Sequence, residues 1–255
     1  MSKVDIHPSA QLGDHVDIMG SLTLGANVQV GANVTFYPDV HIGAGTIILA
    51  GAVIGRPPIA AGQLTRPLTV NNKTVHIGEN CVIGSNAVLY CDLVCGESVL
   101  IGDLATVREG CRLGDQVVLG RRSTLLYNVT VGSRTRVHDG VHLTGNMVVE
   151  ADVFFGPLSV ASNDNEVYLR RYKLLPMELS PPVVRRFALI GTNATLAAGI
   201  EVGMGAIVAP SAMATRDVPA WTVVAGIPAR TMRDVPDEDR LQILRKFGLA
   251  DEDSA

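Results

Sequence analysis

Apolar residues recur at every sixth position along most of the chain. The period holds from Ile6 to Ile54, from Ile77 to Ala161 and from Ile190 to Ala214, and every one of these positions, here called slots, is apolar. Six residues leave room for a very short strand and a turn but not for a helix, and β-branched residues in the slots favour strands. Hexapeptide repeats are typical of a parallel β-helix, and the slots taken three to a turn predict about ten turns.

Glycine prefers the position directly after a slot. Most of the 26 glycines share this one phase of the repeat. Glycine suits either a turn that needs positive φ or a close approach of neighbouring backbones, and the sequence leaves both alternatives open.

The period is interrupted twice and ends before a distinct tail. Residues 56–76 and 164–189 leave the pattern and are predicted to form surface loops. The second loop is arginine-rich, which fits an anion-binding flap for phosphates or an ordinary solvated loop. Residues 237–248 predict a short amphipathic helix that caps the open end. The organisation expected is a β-helix domain over residues 1–230 and a tail with this helix over residues 231–255.

Charge and hydropathy narrow the class of protein. The net charge of -4 offers no basic field for nucleic acid or anionic lipid. Neither an apolar leader nor a run long enough to span a membrane is present, so we expect a cytoplasmic protein. The four cysteines lack zinc-site spacing, which predicts buried thiols.

The motifs IGENCVIGSNAV and VGANVTFYPDVHIGAG resemble those of the hexapeptide-repeat acyltransferase superfamily. The resemblance implies a left-handed parallel β-helix, a homotrimer and active sites between neighbouring subunits. GRPP at 55–58 and the segment FFGPLSVASND look like the N-acetyltransferases that act on nucleotide-linked 3-amino sugars, and VVAGIPAR looks like the closing signature of CoA-dependent members. The function implied is transfer of an acetyl group from acetyl-CoA to the amine of a dTDP- or UDP-linked amino sugar.

Three repeats per turn stack residues that lie 18 apart, which places His138 between Gly120 and Gly156. The bare glycines leave room for a thin chain such as pantetheine. Histidine changes protonation near neutral pH and is a natural general base. His138 is therefore the candidate catalytic residue, with an ordinary exposed turn histidine as the alternative.

A second column stacks Tyr127, Gly145 and Asn163. The resemblance implies that Asn163, followed by Asp164, contacts the sugar near its amine, with Tyr127 in the same column; the alternative is that Asn163 and Asp164 only start a turn. For acetyl-CoA, the resemblance places the pantetheine beside Thr192 and Pro210. Arg230 and Arg233 are the candidates that would pair with its phosphates.

Three rival functions were weighed against this interpretation. A metal protein like the γ-type carbonic anhydrases needs three histidines, and only His138 and His142 lie close in sequence, so no metal site is predicted. A non-catalytic scaffold would lack the VVAGIPAR signature. An acyl-carrier-protein-dependent sugar O-acyltransferase of lipid A type stays open, although such enzymes have a longer helical C-terminal region.

Overall fold

A computed structural model describes residues 3–60, 68 and 73–249, and its strands follow the six-residue period. The strands of the first part are β1 (Val4–Ile6), β2 (Gln11–Leu12), β3 (Asp17–Ile18), β4 (Leu22–Leu24), β5 (Gln29–Val30), β6 (Thr35–Phe36), β7 (Val40–Ile42), β8 (Ile47–Ile48) and β9 (Val53–Arg56). Those of the middle part are β10 (Val75–Ile77), β11 (Val82–Ile83), β12 (Val88–Tyr90), β13 (Leu93–Cys95), β14 (Leu100–Ile101), β15 (Thr106–Val107), β16 (Arg112–Leu113), β17 (Val118–Leu119), β18 (Thr124–Leu125), β19 (Thr130–Val131), β20 (Arg136–Val137), β21 (His142–Leu143), β22 (Val148–Val149), β23 (Phe154–Phe155) and β24 (Val160–Ala161). The last part holds α1 (Val167–Arg170), β25 (Val183–Val184), β26 (Leu189–Ile190), β27 (Thr195–Leu196), β28 (Glu201–Val202), β29 (Ile207–Val208), β30 (Met213–Ala214), β31 (Thr222–Gly226), β32 (Ala229–Asp234) and α2 (Asp237–Lys246).

Three parallel sheets form the walls of a prism, which confirms the predicted β-helix. Sheet 1 begins with β1 and sheet 3 with β3, and each holds ten strands; sheet 2 begins with β2 and holds twelve. Each strand pairs with the one three places on, so that Val137 lies beside Phe155 and Leu125 beside Leu143. The ten strands of sheets 1 and 3 agree with the predicted number of turns. Sheet 2 exceeds them because β31 extends it and β32 folds back antiparallel to β31.

The slot side chains point inward and build one continuous aliphatic core. Phe36, Ile54, Leu89 and Leu125 are fully buried. All four cysteines are buried and free, as predicted. Burial of each aliphatic side chain contributes about 1.5–3 kcal/mol, so the repeated slot is the main source of stability.

The glycines after the slots serve close approach between neighbouring turns of the chain, here called rungs. A Cβ added to Gly120 would lie 2.5 Å from the nitrogen of Asp139, on the next rung. Positive φ occurs instead three residues after the slot, where asparagine, aspartate and glycine are frequent, as at Asn80, Asn86 and Gly110. The structure thus decides between the two alternatives, and it adds a second turn position that the sequence analysis did not identify.

Both predicted loops leave the prism, although their bounds differ slightly from those expected. The first lies between β9 and β10; much of it, residues 61–67 and 69–72, lies outside the described residues. The second ends earlier than predicted because β25 resumes the ladder, with Val184 beside Val149. Arg185 stands where glycine usually follows the slot, which hid this rung from the sequence pattern.

The C-terminal helix covers the end of sheet 2, close to where it was predicted. Leu244 of α2 is buried with Trp221, Val223 and Val235 in a small cluster of its own. No helix in the described part of the chain is long and apolar enough to span a membrane.

Candidate functional site

Two edges of the prism carry mainly glycine directly after their slots and the third carries mainly side chains, and most of the predicted site residues lie on one of the glycine-rich edges or on the third edge. The edge from sheet 2 to sheet 3, here the glycine edge, carries Gly102, Gly120, His138, Gly156 and Gly191 directly after its slots. The edge from sheet 3 to sheet 1, here the loop edge, carries side chains there instead: Tyr90, Arg108, Leu126, Thr144 and Ser162. Both loops depart from the loop edge.

His138 stands on the glycine edge, as its column predicted. Its backbone N–H donates to the carbonyl of Phe155 (3.0 Å), and its own carbonyl accepts from the Ser123 hydroxyl (2.8 Å). The exposed imidazole packs against the ring of Phe154, with centroids 4.8 Å apart and planes tilted by 51°. The ring therefore contacts the outer face of sheet 2 and is open to a ligand there.

Asp139 forms a salt bridge with Arg121. Its carboxylate accepts from the Arg121 Nη2 (2.7 Å) and from the Arg121 backbone N–H (2.8 Å). The side-chain hydrogen bond from Arg121 lowers the pKa of Asp139, with further lowering from the backbone hydrogen bond. The pair lines a corner groove of about 530 Å³ that also includes Pro157 and Leu158.

Thr192 and Pro210 continue the same edge on the following rungs. The Asn193 N–H donates to the Pro157 carbonyl and the Ser211 N–H donates to the Thr192 carbonyl, both at 2.8 Å. Thr192 and Pro210 are exposed. The structure thus brings these two predicted cofactor residues onto the edge that carries His138.

Tyr127, Asn163 and Asp164 line one pocket of about 200 Å³ beneath the second loop. The Asn163 amide donates to the carbonyl of Gly145 (3.3 Å). Gly145 is required because a Cβ there would lie 2.5 Å from the Tyr127 ring. The three predicted substrate residues therefore meet at the loop edge.

Within this pocket, Asp164 organises the loop. Its carboxylate pairs with Arg170 (2.6 Å), each side chain being about one-tenth exposed, and it accepts the backbone N–H of Glu166 (2.7 Å). Arg170 also donates to the carbonyl of Pro176 (2.9 Å) and so ties the loop to its own far side. Arg171 lines the pocket and, among the described residues, has no acidic partner.

Arg230 and Arg233 lie on the exposed strand β32, which pairs with β31 beyond the rung that carries Pro210. Each donates to a neighbouring backbone carbonyl, Arg230 to Ala229 (2.9 Å) and Arg233 to Asp234 (3.0 Å). Arg230 lines a pocket of about 200 Å³ together with Arg216 and Asp217. The four predicted CoA contacts are therefore divided between the glycine edge and the C-terminal hairpin.

His138 and Asn163 lie on different edges of one protomer. The slot before His138 is Val137, in sheet 2, whereas the slot before Asn163 is Ala161, in sheet 3. Sheet 3 separates them, with His142 on its half-buried outer face, where burial lowers the pKa of that imidazole. One protomer does not bring the candidate base and the candidate sugar contact together.

The sequence analysis missed an aromatic and cationic cluster lower on the loop edge. Arg56 and Arg108 place their guanidinium carbons 5.4 and 5.3 Å from the Tyr90 ring. Arg108 also forms a bidentate pair with the buried Glu109, at 3.0 and 3.1 Å. The signal available in the sequence was that, Gly55 apart, this edge carries side chains rather than glycine after its slots.

The histidines do not gather into a metal site in the part of the chain that the structure describes, where no three metal-ligating side chains cluster. His41 and His76 stack on the outer face of sheet 1, with centroids 4.8 Å apart. Burial, followed by the charge of His41, lowers the pKa of His76.

Comparison with known proteins agrees with the repeat. A family model for the bacterial transferase hexapeptide (six repeats) matches residues 21–56, and one for the hexapeptide repeat of succinyl-transferase matches residues 74–110. A 2,3,4,5-tetrahydropyridine-2,6-dicarboxylate N-acetyltransferase of Staphylococcus aureus is 47% identical over 62 residues, which cover 24% of this chain and 26% of that protein. The match therefore spans about a quarter of that relative's length.

Two solved structures match this chain at low identity and with TM-scores under 0.5. A UDP-N-acetylglucosamine acyltransferase of Arabidopsis is 21% identical with a TM-score of 0.40, covering 98% of this chain and 77% of that one. A serine acetyltransferase of Brucella abortus in complex with coenzyme A is 23% identical with a TM-score of 0.36, covering 42% and 40%.

Proposed function

We propose that this chain, which belongs to the hexapeptide-repeat superfamily of transferases, moves an acetyl group from acetyl-CoA to the amine of a nucleotide-linked amino sugar. The observation that carries the proposal is the pocket under the second loop. There Tyr127 and Asn163 present an aromatic face and an amide, and Arg171 offers a cation without an acidic partner in the described chain. An aromatic face suits a sugar ring, and a guanidinium suits the phosphates that follow it.

The reaction requires that the two substrates be oriented toward each other and that one group accept a proton. The neutral amine attacks the thioester carbonyl carbon, a tetrahedral intermediate forms, and the carbon–sulfur bond breaks to release CoA. The nitrogen must lose one proton, which His138 takes and passes to the leaving sulfur. The oxyanion of the intermediate needs hydrogen-bond donors, for which backbone N–H groups outside the ladder are a usual source.

We propose that each active site is built by two subunits of a homotrimer. The separation of His138 and Asn163 on different edges supports this arrangement, because the glycine edge of one protomer can face the loop edge of the next. The N-terminal part of the outer row of sheet 2 also supports an interface, since Ile47, Val82 and Leu100 point outward there, before the row reaches Arg136 and Phe154. Leu100 is 41% exposed in the single chain.

Mixing two damaged proteins tests the composite site. His138→Ala should lower kcat by about 10²–10⁴-fold, and Asn163→Ala by roughly tenfold, partly as a higher KM for the sugar nucleotide. Subunits exchanged between the two variants should recover about a quarter of the wild-type activity, because half of the protomers supply each intact residue. No recovery, or a 27 kDa monomer in sedimentation, would refute the shared site.

For the donor, we propose that the pantetheine of acetyl-CoA runs along Thr192 and Pro210 and that Arg230 and Arg233 pair with its phosphates. Arg230→Ala and Arg233→Ala should each weaken the apparent affinity for acetyl-CoA. The substrate is tested by thiol release from acetyl-CoA across a panel of dTDP- and UDP-amino sugars. Release only with acyl-carrier-protein donors and a sugar hydroxyl would contradict the proposal.

A further inference from the structure

A groove lies between the C-terminal helix and the outer face of sheet 2, and none of the site residues predicted from the sequence lines it. Its volume is about 430 Å³, inside the range of roughly 300–1,000 Å³ that is usual for small-molecule sites. We call it the α2 groove, and its lining residues are Arg134, Arg136, Asp152, Val153, Phe154, Phe187, Ile243, Lys246 and Phe247.

The groove carries excess positive charge. Among the described residues that line it, Asp152 is the only acidic one, and it is shared by Arg134 (2.6 Å) and Arg186 (2.8 Å), so one carboxylate faces two guanidinium groups. Arg136 and Lys246 have no ion pair or hydrogen-bond partner for their side chains within the described ranges. Two cations in the groove are thus free to bind an anion.

The position of Arg136 is not explained by the surface of the sheet. Along the outer row of sheet 2, its ladder neighbours are Val118 and Phe154. From Ile47 to Val223 every other residue of this row is apolar, namely Ile47, Val82, Leu100, Val118, Phe154, Leu189, Ile207 and Val223. Arg136 is thus a single charge in an apolar row, with no oppositely charged neighbour on its ladder.

Aromatic rings form the walls of the groove. The ring centroids of Phe247 and Phe187 lie 4.9 Å apart, and the guanidinium carbon of Arg186 lies 5.1 Å from the Phe247 centroid. These two contacts hold the Phe247 ring in place. Phe154 forms another part of the wall and contacts His138 at 4.8 Å. Flat aromatic faces beside free cations suit a nucleobase joined to a phosphate.

We propose that the α2 groove is a nucleoside-phosphate subsite, in which Arg136 and Lys246 pair with phosphate oxygens and the base stacks on the phenylalanine rings. Through Phe154, the bound nucleotide lies one side chain from His138. Both substrates of the proposed function contain a nucleoside phosphate. The binding site stands on its own geometry, whereas its assignment to the donor or the acceptor rests on the proposed function.

Equilibrium binding to the intact protein tests the subsite without any acetyl transfer. Isothermal titration is carried out with adenosine 3′,5′-bisphosphate, UDP, dTDP, adenosine and inorganic phosphate. Arg136→Gln and Lys246→Gln should each weaken nucleotide binding about tenfold. Arg245→Gln is the matched control, because it removes the same charge from the same helix but does not line the groove. Phe154→Leu should weaken the binding of the nucleotides and leave the binding of inorganic phosphate unaffected.

The outcomes separate the subsite from the proposed function. Preference for the adenosine bisphosphate assigns the groove to the donor, and preference for UDP or dTDP assigns it to the acceptor. The subsite is overturned if the wild type binds no nucleotide at millimolar concentration, if phosphate alone binds as tightly, or if Arg245→Gln weakens binding as much as Arg136→Gln. Nucleotide binding that depends on Arg136, in a protein that acetylates no amino sugar, would keep the subsite and refute only the proposed function.

Discussion

The close approach of rungs at the glycine edge makes Gly156→Ala a sharp test of how the prism holds its candidate base. The added Cβ would lie 2.5 Å from the nitrogen of Thr192, 2.9 Å from the carbonyl carbon of Gly191 and 3.0 Å from the Thr192 Cα. All three atoms are backbone, and the Gly156 N–H donates to the carbonyl of Ile190 on that neighbouring rung at 2.7 Å. No side chain can move aside, so the two rungs must separate.

The size of the effect follows from this geometry. Ordinary contact begins near 3.4 Å, so the rungs must part by roughly 1 Å against a close-packed core. Overpacking of this kind costs about 1–3 kcal/mol, and we expect the upper end because backbone lies on both sides. For a chain of this length, about 3 kcal/mol lowers Tm by about 6–12 °C.

Thermal and urea unfolding followed by circular dichroism measure the change. Gly248→Ala is the control, because Gly248 has φ +69° and no atom within 4 Å of an added Cβ. For this control we expect the free energy of unfolding to fall by about 1 kcal/mol, from backbone conformation alone. A Gly156→Ala protein that unfolds at the wild-type midpoint, or that loses less stability than Gly248→Ala, would refute the close-approach explanation.

Three further predictions follow from local contacts. The pKa of His76 is lowered in the folded protein, so the unfolded chain binds more protons below about pH 6.5 and the free energy of unfolding should fall as the pH drops from there. His41→Gln removes the charge that contributes to this lowering and should make the fall shallower in urea titrations between about pH 5 and 7. Arg170→Met should raise KM for the sugar nucleotide several-fold and leave KM for acetyl-CoA unchanged, since it releases Asp164 and the loop; steady-state kinetics with an equal effect on both substrates would count against it. Leu104→Asn should raise the urea midpoint, by up to about 1 kcal/mol, because Leu104 is half-exposed at φ +60° where asparagine is better tolerated.

The period of the sequence was sufficient to predict the columns of the fold. Slots three strands apart pair as expected, so the stack of Gly120, His138 and Gly156 and the stack of Tyr127, Gly145 and Asn163 could both be placed before the structure was known. The same counting also assigns the two stacks to different edges. The period alone therefore contained the separation of His138 from Asn163, although each column by itself does not reveal it.

Features that depend on tertiary docking could not be predicted from the period. The α2 groove forms where a helix outside the repeat packs on sheet 2, and nothing in the spacing of residues 237–248 indicates which strand they cover. The pairing of Asp164 with Arg170 likewise depends on the path of a loop without periodicity. The bounds of β25 were missed for a local reason, since Arg185 replaces the expected glycine.

The rigidity of the prism links these observations. Each rung is hydrogen-bonded to the next, so the outer positions of one face keep their separation whatever the loops do. His138 and Gly145 lie on one rung, seven residues apart and at opposite ends of a side. A loop motion within one protomer cannot close this distance, because Asn163 is anchored to the Gly145 carbonyl on the ladder itself. Chemistry that needs both residues on one small substrate must therefore bring two protomers together, and the face that turns toward the neighbour then becomes part of the active site.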